Sequence, residues 1–297
     1  TYVNVGSNVI SVEKNETKQV NASLDNKFNL ITDKVDSGNM TFISLDTDIA
    51  TVDEDGIITG KEIGKAEIVV THKITNKTAT IFVNVVPEGK QSVPKVEVGN
   101  THTVALKADG TVWTWGNNTY GQLGTADNNA KATPVKVTAL ENVIDITVGN
   151  ENTMAVKADG TVWTWGYNGY GQLGDGTTNT RYLPVQMIDT ENNKVTDVEN
   201  VSANGYSSII TRNSETPDDA GIYVTGYNNY GQLFTKNTTT RTKLEKAQTD
   251  KNIITTASTT NVSYQTSAIA DSLGLVYTVG YNGNGEMGDD STTTTIN

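Results

Sequence analysis

The chain has 297 residues, a formal net charge of −12 at pH 7 and no cysteine. That length is sufficient for two domains with separate cores, and the missing cysteines exclude disulfides, thiolate metal sites and a cysteine nucleophile. The negative charge argues against a nucleic-acid partner, and no segment reaches the roughly 18 apolar residues of a membrane span, so we expect no direct membrane insertion. Gly, Asn, Asp and Thr separate short runs rich in Val, Ile and Tyr, which predicts an all-β protein.

The first ninety residues carry a β pattern of their own. Short apolar runs recur at about ten-residue intervals, which predicts seven strands and therefore a β-sandwich. The predicted strands lie near Ile10–Val12, Gln19–Leu24, Met40–Leu45, Ala50–Val52, Ile57–Thr59, Ala66–His72 and Thr78–Val86. Between two of these runs stand Asp55 and Gly56, which predict a two-residue hairpin turn because glycine tolerates a positive φ.

Two segments of this region resemble the group 2 family of bacterial immunoglobulin-like (Ig-like) domains. They are FISLDTDIATVDEDGIITGKEIGKAEIVV (Phe42–Val70) and KTATIFVNVV (Lys77–Val86). The resemblance covers about residues 5–87 and departs from the family at Leu45-Asp46, where a Ser or Asn pair is usual. It implies an Ig-like sandwich. It also implies export, because such domains are typically extracellular spacers or adhesive modules of bacterial surface proteins.

Five acidic residues around the predicted hairpin admit two interpretations. They are Asp46, Asp48, Asp53, Glu54 and Asp55. Calcium requires several oxygen ligands, but the spacing lacks the glycine at position 6 and the glutamate at position 12 of an EF-hand loop. We favour turns and a solvated surface. Calcium binding is the alternative, and a calcium titration of the melting temperature would test it.

The composition predicts three regions along the chain. Residues 1–87 form the Ig-like domain, residues 88–95 a linker rich in Pro, Gly and polar residues, and residues 96–297 a set of repeats. The repeated unit is TVWTWGNNTYGQLG at 111–124, TVWTWGYNGYGQLG at 161–174, GIYVTGYNNYGQLF at 221–234 and LVYTVGYNGNGEMG at 275–288. Successive copies are 50, 60 and 54 residues apart, a period typical of arrays and propellers.

Each copy has the pattern of a four-stranded propeller blade. In the second copy the predicted strands are Val143–Val148, Thr153–Lys157, Thr161–Trp165 and Pro184–Met187, with Asp159-Gly160 as a two-residue turn. The tryptophans alternate with smaller residues, so they share one strand face and are predicted to pack between blades. They are Trp113, Trp115, Trp163 and Trp165.

The segments TWGNNTYGQLG, TWGYNGYGQLGDGTTNTRYLPV and VGNTHTVALKADGTVWTWG resemble the regulator of chromosome condensation repeat family over about residues 94–297. The later copies depart from it, with Thr225 and Val279 at the second Trp position and an insertion at Asn213–Ala220. The family usually closes as seven blades, and four copies are present here, the last without its fourth strand. We therefore expect an all-β chain in which an Ig-like sandwich precedes about four blades of a truncated seven-bladed propeller, as part of a longer protein.

The sequence offers little for catalysis. Only His72 and His102 are available as histidine bases, and His102 stands where the second copy has Asn152, so we expect a turn or blade contact rather than a general base. No GxSxG segment is present. The acid pairs Asp218-Asp219 and Asp289-Asp290 lie in polar loops. We predict no catalytic residue, no cofactor, no metal site and no enzymatic activity.

Six repeated tyrosines are the candidate binding residues. Tyr120, Tyr170 and Tyr230 precede GQL, and Tyr167, Tyr227 and Tyr281 follow the preceding glycine. Two interpretations are open. Repetition would align them along one rim, where tyrosine combines large contact area with low entropy loss. Alternatively, they pack the loops against one another.

These observations favour a non-enzymatic exported bacterial surface or secreted protein, whose Ig-like spacer presents a propeller face to a protein or glycan. A second hypothesis is a secreted enzyme inhibitor, because bacterial β-lactamase inhibitor proteins with similar repeats bind through one propeller face. Guanine nucleotide exchange, known for nuclear members of the family, is disfavoured by the charge of −12 and the lack of a basic tail. A carbohydrate-cleaving enzyme would need paired loop carboxylates that the sequence does not single out.

Overall fold

A computed structural model describes residues 2–5, 9–20, 22–25, 39–86, 92–203, 205–212, 220–248, 253–258, 266–271 and 275–295. Their regular elements are β-strands, which confirms the predicted all-β class. Within these ranges no helix is long and apolar enough to cross a membrane. The chain divides into two compact units, one of Thr1–Ser92 with Ala108–Gly110 and one of Val93–Lys107 with Thr111–Asn297.

The first unit is a β-sandwich. Its strands are β1 (Tyr2–Asn4), β2 (Val9–Glu13), β3 (Thr17–Gln19), β4 (Ser23–Asp25), β5 (Met40–Ser44), β6 (Ala50–Val52), β7 (Ile57–Gly60), β8 (Gly64–His72) and β9 (Thr78–Val86). One sheet has the order β2-β9-β8-β5, a second has β3-β7-β6, and β1 pairs with β4. The core includes Ile58 from the second sheet and Ile68 and Ile81 from the first, all 0% exposed.

Three details of the first unit differ from the sequence prediction. The predicted strand Gln19–Leu24 is two strands, β3 and β4, in different sheets, and β1 was not predicted. The hairpin loop at Gly56 has three residues (54–56) rather than two, because Asp53 N bonds to Ile57 O and Gly56 N to Asp53 O. Gly56 has φ +78° in this turn, and an added Cβ would meet the Phe42 ring at 2.8 Å.

The second unit is a series of four antiparallel sheets, which we call blades 1 to 4. Their strands are β10 (Lys95–Val98), β11 (His102–Leu106), β12 (Val112–Gly116) and β13 (Lys131–Lys136); β14 (Val143–Val148), β15 (Asn152–Lys157), β16 (Val162–Gly166) and β17 (Arg181–Gln186); β18 (Val198–Ala203), β19 (Ser207–Arg212), β20 (Gly221–Gly226) and β21 (Arg241–Lys246); and β22 (Ile253–Ser258), β23 (Thr266–Asp271) and β24 (Val276–Gly280). Within each blade the strands pair in chain order.

The predicted strand pattern of the blades is correct in outline and wrong at its ends. The fourth strand of blade 2 is Arg181–Gln186 rather than Pro184–Met187, and the turn at Asp159 and Gly160 is a three-residue loop, closed by Lys157 N to Thr161 O. Blade 4 is predicted to lack a fourth strand, and in the described residues that strand is represented by a single bridged residue pair. Gly280 pairs with Thr295 across the same 15-residue interval that separates Gly166 from Arg181.

The described residues leave out parts of the connecting segments. Residues 87–91 of the predicted linker and residues 213–219 of the predicted insertion, including Asp218-Asp219, lie outside them. The first strand of the repeats already begins at Lys95, the last residue of the predicted linker.

Neighbouring blades are joined by a loop of one blade and a strand of the next. At the first junction Trp165 of blade 2 is 0% exposed, and its Nε1 donates to Gln122 O of blade 1 at 2.9 Å. Its ring covers Gly124, where an added Cβ would lie 3.0 Å from the indole nitrogen. Val137, which follows the fourth strand of blade 1, belongs to the same buried cluster. This arrangement confirms that Trp165 packs between blades.

At the other two junctions a smaller residue stands at the tryptophan position, and a large side chain from another position fills the space between the blades. At the second junction Thr225 takes the tryptophan position, and Met187 supplies the missing bulk, its methyl 2.9 Å from the Cβ that Gly174 lacks. At the third junction Val279 stands there, and Phe234 replaces the loop glycine with φ +55° and 5% exposure. A phenylalanine in the left-handed region is strained, so its burial must offset that cost.

Junction packing predicts a specific non-additivity. We expect Trp165→Thr to lower the free energy of unfolding of the second unit by about 3–5 kcal/mol through the cavity it leaves. Val137→Met, which copies Met187, should recover part of that loss in the Trp165→Thr background but cost about 1–3 kcal/mol by overpacking in the wild type. Urea unfolding followed by tryptophan fluorescence measures this, since all four tryptophans lie in the second unit. Equal effects of Val137→Met in both backgrounds would contradict the packing account.

Candidate binding surface

The loops that carry the predicted tyrosines are built around a buried asparagine. The four equivalents, each 0% exposed, are Asn118, Asn168, Asn228 and Asn282. In blade 2 the Asn168 Oδ1 accepts from Leu173 N at 2.9 Å, and its Nδ2 donates to Asp175 Oδ1 and Thr177 O. The side chain therefore bonds both ends of the loop, and its burial makes those bonds costly to break.

A second side chain fixes the tyrosine backbone. The Gln122 Oε1 accepts from Tyr120 N at 2.9 Å, and the Gln172 Oε1 accepts from Tyr170 N at 3.0 Å. The third copy repeats the bond with Gln232, and the fourth uses Glu286 with Asn284. The first three loops thus hold the backbone of their tyrosine with the same hydrogen bond.

Hydrogen bonds from the next blade position each loop relative to its neighbour. The Thr153 Oγ1 of blade 2 donates to Gln122 O at 3.0 Å, and the Ser208 Oγ of blade 3 donates to Gln172 O at 2.9 Å. Thr153 and Ser208 are 0% exposed. The loops therefore stand in register along one side of the blades.

The six predicted tyrosines form a continuous series, which we call the tyrosine face. Between blades the ring centroids of Tyr120–Tyr167, Tyr170–Tyr227 and Tyr230–Tyr281 are 5.1, 5.1 and 5.3 Å apart. Within blades, Tyr167–Tyr170 and Tyr227–Tyr230 are each 6.2 Å apart. These contacts are edge-to-face, with interplanar angles of 65–75°.

A seventh tyrosine was missed by the sequence interpretation. The Tyr206 ring lies 5.9 Å from Tyr167 and 4.8 Å from Tyr170. It precedes β19 in blade 3, where blades 1 and 2 have Thr101 and Glu151, so it lies outside the repeated loop. Only an alignment of the first hairpin across the copies would have found it.

The two interpretations of the tyrosines therefore describe the same residues. Their rings pack on one another, as loop packing requires, yet they stay accessible. Tyr120 is 38% exposed, and the other members of the face are half-buried. A rigid set of partly exposed tyrosines is an arrangement that can bind a partner with little loss of side-chain entropy.

Glu151 adds a negative charge to one part of this face. Burial raises the pKa of its carboxyl. Burial, together with neighbouring tyrosines and the Glu151 charge, raises the pKa of Tyr167 and of Tyr206. The pKa of Tyr227 is raised by burial and by neighbouring tyrosines without a contribution from Glu151. The Glu151 backbone oxygen accepts from Tyr167 N at 2.8 Å, so the residue lies beside Tyr167 in the loop region of blade 2.

His102 and Asp53, which the sequence offered as possible catalytic or metal-binding residues, make contacts within the fold. His102 is 2% exposed, its Nε2 lies 3.0 Å from Thr153 Oγ1, and burial lowers its pKa to about 4. Since that hydroxyl donates to Gln122 O, the His102 Nε2 carries the proton, and the contact joins blades 1 and 2 as expected. Asp53 Oδ1 accepts from Ile57 N in its turn. In the described ranges, no three His, Asp or Glu side chains cluster as metal ligands would.

Family comparisons match both parts of the chain. Residues 109–156 and 159–200 match the family model described as Regulator of chromosome condensation (RCC1) repeat, and a second model of that description matches 95–122 and 143–172. Residues 1–83 match Bacterial Ig-like domain (group 2). A stretch of 55 residues is 42% identical to the human probable E3 ubiquitin-protein ligase HERC3, and covers 18% of this chain but 5% of that protein.

Solved structures agree at the level of the fold. Human WBSCR16 superposes with a TM-score of 0.56 at 16% identity, covering 78% of this chain and 64% of that chain. Yeast RCC1 (Prp20), solved with Kap60, gives a TM-score of 0.55 at 18% identity, covering 78% and 56%. The chain thus spans less than two thirds of these relatives. The matches confirm both predicted resemblances.

The electrostatics of the tyrosine face predict a selective titration shift. We expect Glu151→Gln to lower the pKa of Tyr167 and Tyr206, because removing a nearby negative charge favours the phenolate. Tyr227 should titrate unchanged and serves as an internal control. The measurement is an NMR pH titration of protein labelled with ¹³C at the tyrosine ring. A uniform shift of all three tyrosines would point to a change in packing instead.

Burial of His102 predicts a loss of stability in acid. Because the folded pKa is about 4 and the ordinary value is 6.5, the unfolded chain binds the proton more readily, and stability falls as the pH drops through this interval. By this linkage, lowering the pH from 7 to 4.5 should destabilise the wild type by about 2–3 kcal/mol more than His102→Asn, which copies Asn152. Urea unfolding at both pH values measures the difference. Parallel losses in the two proteins would overturn the assignment to His102.

Proposed function

Because the chain combines RCC1 repeats with a group 2 bacterial Ig-like domain, we propose that it is a non-enzymatic bacterial surface or secreted protein whose tyrosine face binds a macromolecule. The Ig-like domain acts as a spacer, and the propeller blades supply the binding surface. The ligand is a protein or a glycan. The proposal is based on two observations: the pairing of an Ig-like domain with propeller blades, and the tyrosine face that the blades hold in place.

The continuous tyrosine series is the observation that carries the proposal. Seven partly exposed rings from four blades meet through centroid distances of 4.8–6.2 Å. A packing role alone would also be served by aliphatic side chains, which carry no hydroxyl group. Tyrosine is enriched at binding hot spots because its ring contributes large contact area and its hydroxyl a hydrogen bond.

Export is supported by the Ig-like domain. Domains of this group typically act as spacers that separate a binding domain from a cell surface. The match at residues 1–83 covers nearly all of the first unit. The net charge of −12 is compatible with a soluble extracellular surface. Detection of the native protein in the cell-surface or culture-medium fraction of its bacterium supports this part of the proposal, and recovery solely from cytosol contradicts it.

Binding is tested by screening the protein on glycan arrays and on arrays of extracellular proteins. We expect a ligand whose affinity falls about 10- to 100-fold on Tyr170→Ala or Tyr227→Ala, as hot-spot tyrosines lose about 2 kcal/mol or more. The control is Tyr2→Ala, which removes a 50% exposed tyrosine from the first unit. A ligand that binds all three variants equally would place the binding surface elsewhere, and no ligand on either array would contradict the binding function.

An enzyme inhibitor is a second candidate because the turn tyrosines are rigid and aligned, which is what tight protein–protein binding requires. The resemblance to bacterial β-lactamase inhibitors makes these enzymes the first targets to assay. Inhibition of one β-lactamase that is lost in Tyr170→Ala but kept in Tyr2→Ala would favour this candidate over the general binding role. Full activity of the whole enzyme panel removes it.

A further inference from the structure

One part of the tyrosine face differs from the rest in carrying a carboxylate. Glu151 lies in the turn before β15, and its backbone oxygen accepts from Tyr167 N at 2.8 Å. The same position is Thr101 in blade 1 and Tyr206 in blade 3. A carboxylate at this position therefore occurs once in the first three blades, beside the most crowded group of rings.

The Glu151 carboxylate has no countercharge within the described part of the chain. The ion pairs of the described residues, such as Arg181 with Asp175 and Arg241 with Glu245, do not include Glu151. Glu151 is only partly exposed, and burial is the cause of its raised pKa. A half-buried carboxylate with no ion-pair partner is costly, and a cation that arrives with a ligand would offset that cost.

The surrounding rings suit a cation as well. Tyr120, Tyr167, Tyr170 and Tyr206 meet at interplanar angles of 50–73°, so their edges and faces point in several directions and do not form one flat platform. A sugar ring stacks on an open aromatic face, whereas a guanidinium or ammonium group is attracted to several ring faces at once. The geometry therefore favours a cationic side chain over a pyranose.

We propose that Glu151, Tyr167, Tyr170 and Tyr206 form a site for a cationic side chain, the guanidinium or ammonium group of a basic peptide segment. The proposal rests on the proposed binding function and names the ligand chemistry of one part of that face. The carboxylate supplies the opposite charge, and the rings supply cation–π contacts and exclude water. The overall charge of −12 attracts a basic segment from a distance.

The test uses the full chain and two small probes, N-acetyl-arginine amide and its neutral analogue N-acetyl-citrulline amide. NMR spectra of the ¹³C-tyrosine-labelled protein should show shifts of Tyr167 and Tyr206 with the arginine probe and much weaker shifts with citrulline. Glu151→Gln should weaken arginine binding at least about fivefold, the size of one partly exposed cation–π or ion-pair contact. Shifts confined to Tyr230 and Tyr281, or equal binding of citrulline, would overturn the site.

The matched control is Glu286→Gln. It removes the same charge, but the Glu286 carboxylate is already bonded to Asn284 N and Nδ2, and glutamine is the residue found at this position in the other loops. We expect this variant to bind arginine like the wild type. Equal weakening in both variants would mean that net charge, not a site at Glu151, attracts the probe.

Two further outcomes separate this site from the general binding function. Preferential binding of a chitosan oligosaccharide over the arginine probe would replace the peptide by an aminoglycan and overturn the proposal. If a ligand found on the arrays is lost in Tyr170→Ala but unaffected by Glu151→Gln, the binding function stands and the cation site fails. Equal urea midpoints of Glu151→Gln and the wild type ensure that a lost response is not a loss of fold.

Discussion

The blades depend on buried hydrogen bonds that join a loop of one blade to a strand of the next. Gln122 O accepts from both Thr153 Oγ1 and Trp165 Nε1, and Gln172 O accepts from Ser208 Oγ. A buried carbonyl must be satisfied, so the relative position of two blades is set wherever such a bond forms. The regular spacing of the tyrosine rings follows from this constraint rather than from contacts among the tyrosines alone.

The junctions explain how imperfect copies keep one architecture. Close packing requires that the volume between two blades stay nearly constant, but it does not prescribe which residue fills it. Tryptophan on a strand, methionine after a strand and phenylalanine in a loop each fill the gap at one of the three junctions. A blade that lacks the tryptophan therefore keeps its position relative to the neighbouring blade, and the surface loops remain aligned.

This separation of scaffold from surface allows chemistry to vary locally. The asparagine of each loop and the glutamine of the first three loops are buried and do not form part of the exposed face, so neighbouring positions are free to differ. Thr101, Glu151 and Tyr206 occupy one framework position with three different chemistries. The tyrosine face is thus a repeated aromatic surface in which one position carries a charge. Because the equivalent positions lack that charge, a ligand can distinguish this part of the face from the rest.

The sequence by itself determined the all-β class, the repeat period, both family resemblances and the six repeated tyrosines, because these follow from spacing and residue type along the chain. It missed the division of Gln19–Leu24 between two sheets and the three-residue turn at Gly160, because strand ends depend on pairing partners that are distant in sequence. Only the tertiary structure brought Tyr206 and Glu151 to the tyrosine face. Their proximity arises from blades packing side by side, and because the copies have Thr101, Glu151 and Tyr206 at one position, no repeated residue type signals it.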